Sequence, residues 1–80
     1  MKEIKARAVY ARVIIAKEVK ARDGRVGRVI ETRDEEWERG RGEGEINTSE
    51  VRADVIYAKE IDADYIEAEE IRAKEVKIGR

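Results

Sequence analysis

The large apolar residues of this chain recur every five positions. From Ile46 the sequence divides into INTSE, VRADV, IYAKE, IDADY, IEAEE, IRAKE and VKIGR. The first place reads Ile46, Val51, Ile56, Ile61, Ile66, Ile71, Val76, and the third is mostly alanine from Ala53 to Ala73. From Ile4 the blocks IKARA, VYARV, IIAKE, VKARD, GRVGR and VIETR follow the same rule, with Gly24 and Val29 late in the series. The composition, rich in Ala, Lys, Glu and Arg, favours helix. On a helix, however, five residues leave a net rotation of about 140°, which scatters the Ile/Val series around the axis. A straight strand fails too, because side chains alternate with period two and an odd repeat inverts the apolar set at each block. A bend after every quintet restores the face.

The pattern therefore predicts an all-β fold, a parallel β-solenoid with about five residues per side. Four sides per coil would give a square tube of about twenty residues per turn, rising about 4.8 Å. Places one and three point inward, large beside small, and the remaining places carry nearly all the charge. The single domain spans 1–80, with repeat blocks at 4–33 and 46–80 and an inserted turn and loop at 34–45. In that insert Asp34 is placed to cap one helical turn, EEWER, ending at Gly40, and GRGEG reads as a return loop.

These quintets resemble the pentapeptide-repeat family, whose members form right-handed square β-helices. The resemblance covers 4–33 and 46–80. The family places its small residue two positions before the large one; here the order is reversed, as in Ile61–Ala63 and Ile66–Ala68. Some members of that family are duplex-DNA mimics that bind topoisomerases, a role that needs an extended acidic rod. Here residues 1–33 carry net charge +6, 34–45 net −4 and 46–80 net −3. In a solenoid that runs along its axis with the sequence, these become a basic and an acidic end. The regularity, together with the absence of Pro, Cys, His and Phe, is the style of a designed or idealised sequence.

The chemistry-bearing residues are few. Without cysteine or histidine there is no disulfide framework, no thiolate and no imidazole base or ligand. The 18 basic and 19 acidic side chains nearly cancel, unlike a nucleic-acid binder. No apolar run is long enough to span a membrane and no signal peptide is present, so a soluble, cytoplasm-compatible protein is expected. Asp62, Asp64, Glu67, Glu69 and Glu70 read as a solvated surface rather than a metal site. Arg7, Arg12, Lys17 and Arg22 occupy one outward place on four different sides. No catalytic, cofactor or metal residues are identified. The candidate interface is an outward apolar group: Tyr10, Val13, Ile15, Val55, Tyr57 and Tyr65, with Trp37 either folded over it or offered to a partner. The expectation is a non-enzymatic scaffold with no natural ligand, cofactor or required partner. The alternative is a self-associating or partner-binding module that uses the tube ends or this patch.

Overall fold

The computed structural model describes residues 2–33, 36–39 and 44–79. Its elements are strand β1 (Lys2–Glu31), a 3-10 turn (Glu36–Arg39) and strand β2 (Gly44–Ile78). The all-β class and the inserted helical turn hold. The expected cap at Asp34 and the return at 40–43 lie outside the described residues.

A straight strand of thirty residues would measure about 100 Å, yet the longest dimension of the molecule is 27 Å. Both strands must bend repeatedly, and the pairing shows where. The parallel ladder skips Arg7, Arg12, Lys17, Arg22 and Gly27 at five-residue intervals, so these are the corners. Among the described residues only Gly44 and Gly79 have positive φ, so none of these corners uses the left-handed region.

The four-sided solenoid is overturned by the register. Neither segment stacks on its own previous coil. β1 and β2 form a two-stranded parallel sheet in which residues of β1 pair with two residues of β2. Ile4 pairs with Ile46 and Ile61, Ile14 with Ile56 and Ile71, and Val19 with Ile61 and Val76. The two partners are fifteen residues apart, so a circuit takes three quintets, not four. Because the segments alternate, the rows run 44–58, 2–16, 59–73, 17–31 and finally 75–78. The quintet specifies a bend and an inward face. It specifies neither how many bends close a circuit nor which segment supplies the next row, because backbone hydrogen bonding between rows is indifferent to side-chain identity.

Interleaving also dissolves the expected basic and acidic ends. The basic β1 rows alternate with β2 rows, of which 44–58 and 59–73 are acidic, so opposite charges meet across the ladder: Arg12 with Asp54 at 2.8 Å, Lys5 with Glu45 at 3.6 Å, Arg28 with Glu70 at 3.9 Å.

The core fills the middle of the wound sheet. Val9, Ile14, Val19, Ile61, Ile66 and Ile71 are essentially inaccessible, with Ala16, Ala58, Ala63, Ala68 and Ala73 between them, and among the described residues no polar one is buried. β-branched side chains suit the extended backbone, and alanine leaves room for the large residue of a neighbouring side. Gly24 replaces the usual Ile or Val for a steric reason. A Cβ there would stand 2.7 Å from the Ile66 carbonyl oxygen and 3.2 Å from Ile78 Cγ2. Two described first-place residues are exposed, Val29 at 47% and Ile46 at 37%, and Val51 and Val76 are only partly buried. Val29 and Ile46 each pair on one side only.

Candidate functional site: the outward columns

Parallel pairing stacks equivalent side chains into columns along the outside, and the candidate patch is distributed among them. Val13 pairs with Val55 and Ile15 with Tyr57, so these four residues are direct neighbours in adjacent rows. The second column continues from Tyr57 through Ile15 and Arg72 to Ile30. Tyr10 and Tyr65 lie elsewhere, on the preceding side, with ring centroids 6.0 Å apart and planes inclined at 55°. Arg52 covers Tyr10, its guanidinium carbon 4.5 Å from the ring centroid, a cation–π arrangement. The Tyr65 hydroxyl donates to Glu67 Oε1 at 3.0 Å, and this bond to the neutral phenol is the main reason its pKa is raised. The seven candidate residues therefore do not form one patch.

Trp37 is 7% exposed. It stands apart from the central core cluster. Two contacts locate the 3-10 turn: the Thr32 amide donates to the Ala73 carbonyl at 2.9 Å, and Arg72 meets Glu36 at 3.8 Å. Arg72 is also held by Glu70 at 2.7 Å. The turn thus lies over the wall that carries Tyr57, Ile15, Arg72 and Ile30, which face outward yet are only partly exposed. The Trp37 Nε1 donor is buried without a hydrogen-bond partner.

The remaining polar groups form surface pairs. Arg12 Nε donates to Asp54 Oδ1 at 2.8 Å, and Arg12 Nη2 to Oδ2 at 3.3 Å, a bidentate pair. This bond, reinforced by the charge attraction, lowers the pKa of Asp54 and raises that of Arg12. Arg52 Nε donates to Glu50 Oε2 at 2.7 Å, which raises the Arg52 pKa. The acidic group of β2 does not converge. Asp62 lies between Lys5 and Lys20, Glu67 between Tyr10 and Arg25, and Glu70 between Val13 and Arg28. Of the basic row, Arg7 and Arg22 are one circuit apart and share a corner, while Arg12 and Lys17 take the other two. Among the described residues no group of three acidic side chains is placed to hold a metal ion. No helix there is long and apolar enough to cross a membrane. A cleft of about 70 Å³ lies beside Glu3, Glu18 and Glu60, and a wide, open one of about 670 Å³ is lined by Lys5, Arg7, Asn47, Asp62 and Asp64.

One column went unread in the sequence. Glu45, Glu3, Glu60, Glu18 and Glu75 stack in consecutive rows along one corner. Like charges directly opposite one another oppose pairing; Lys5 on Glu45 and Lys77 on Glu75 at 3.2 Å relieve its two ends. The signal is the KE dipeptide at Lys2, Lys17, Lys59 and Lys74, fifteen apart within each segment. The same recurrence marks the three-quintet circuit.

No protein-family model matches the chain, and no curated protein or solved structure matches it.

Proposed function

We propose that this chain is a non-enzymatic structural module, a compact scaffold of idealised or designed character that requires no ligand. The observation that carries this reading is the division of labour in the wound sheet. Described buried residues are apolar, and the charged groups lie outside, many paired with one another across rows. Among the described residues the ion-paired groups of this surface engage one another across rows rather than converging on a common point. A ligand that binds only the folded state raises the unfolding temperature by mass action. Thermal unfolding in the presence of divalent metals, nucleotides and common metabolites should therefore leave the midpoint unchanged. A saturable rise with any of them would overturn the reading.

A second reading, self-association, is favoured by the ends. Rows 44–58 and 23–31 each pair on one edge only, and they expose Ile46 and Val29. Open parallel edges with apolar side chains invite further pairing. Sedimentation across a wide concentration range tests it: a mass independent of concentration removes this reading for the intact chain.

A further inference from the structure

We propose that the last row, residues 75–78, occupies the place where a second copy of this chain would add head to tail, and so acts as a stop against extension. The proposal rests on the open edges of the self-association reading and holds that the intact chain does not use them. Those edges are of opposite kind. The free edge of β1 at 23–31 lacks a β2-type row, and the free edge of β2 at 44–58 lacks a β1-type row. Each is what the other edge of a second copy needs, and a parallel ladder can continue across the junction.

The register of that continuation follows from the chain itself. Ile46, Ile4, Ile61, Val19 and Val76 form one column of consecutive rows. Val76 is thus the equivalent of Ile46 two circuits on. A second copy that continued the winding would set its Ile46 on Val19, a position Val76 already holds. Its residues 44–48 would collide with 75–78, which are anchored through Glu18–Glu75, Lys20–Lys77 and Ala21–Ile78 and by the Gly79 amide on the Ala21 carbonyl at 3.1 Å.

On the other two sides the same register brings Ile56 of the second copy onto Val29 and Tyr57 onto Ile30, both favourable. It also sets Glu50 against Asp23 and Arg52 against Arg25, two like-charge pairs of exposed groups. Apolar attraction therefore draws the ends together, while an occupied side and two charge clashes hold them apart.

The test compares the intact chain with one ending at Ala73, by sedimentation velocity over a hundredfold range of concentration. The intact chain should keep a constant mass. The shortened chain should at least double its weight-average mass at the top of the range, and Asp23→Lys with Arg25→Glu should move that transition to lower concentration. Should shortening abolish the β circular-dichroism spectrum, V76K with I78K in the full-length chain releases the row without removing it, and the same association is expected. A folded shortened or released chain that stays monomeric overturns the stop. Equal association by the intact chain also overturns the stop but leaves the self-association reading standing.

Discussion

Ile66 and Val29 hold the same place in their quintets, yet Ile66 is fully buried and Val29 is 47% exposed. Ile66 lies in an interior row, paired with Val9 on one edge and Gly24 on the other; Val29 lies in an outer row and pairs with Ile71 alone. A second neighbouring row adds to burial without being its sole source, since Ile56, which pairs with Ile14 alone, is only 6% exposed.

The largest expected effect breaks or upholds that contrast directly. Ile66→Ala should destabilise the chain by about 2–5 kcal/mol, the range for emptying a packed core position. Val29→Ala should cost a small fraction of that. Denaturant unfolding of both variants checks it, and equal losses would show that row position does not set burial. Gly24→Val comes next. It would restore the missing β-branched residue of the series and is expected to destabilise by about 1–3 kcal/mol, because its Cβ would strike the Ile66 carbonyl. A gain in stability would mean that the rows adjust their spacing freely.

The stacked glutamates show how neighbouring rows act on outward side chains. Glu60 stands between Glu3 and Glu18, so Glu60→Lys should stabilise by about 0.2–1 kcal/mol, and added salt should shrink the difference. The smallest effect belongs to Asp54. Its folded pKa is depressed by Arg12, so its contribution is present above the unfolded carboxylate pKa and is lost as pH falls through the lower folded value. Stability curves of the native chain and Asp54→Asn should converge in acid. Both groups are exposed, so the gap at neutral pH is small.

Trp37 shows what a residue pattern conveys about an insertion. Its departure from the five-residue rule marks 34–45 as leaving the wall, and EEWER marks a helical turn; the structure has that turn at Glu36–Arg39. Which wall it covers depends on Arg72, which meets Glu36, and Ala73, which meets Thr32, both far along the chain in β2, and no local pattern encodes that meeting. The outward apolar residues behave alike. Val13 with Val55 and Ile15 with Tyr57 were expected to share a region, and they are adjacent only because a β2 row lies directly beside a β1 row. Tyr10 and Tyr65 separate from them because a corner intervenes.

The spacing of Ile and Val, with alanine two places later, was enough to establish extended backbone, a bend every five residues, and an apolar interior with a charged exterior. These are local properties, dictated by side-chain alternation and by the cost of exposing apolar surface. The three-sided circuit, the interleaving of the two segments and the exposure of Val29 and Ile46 were decided by tertiary structure. Backbone hydrogen bonds join any two extended segments that meet in register, so the choice of neighbour belongs to the packing of the whole chain.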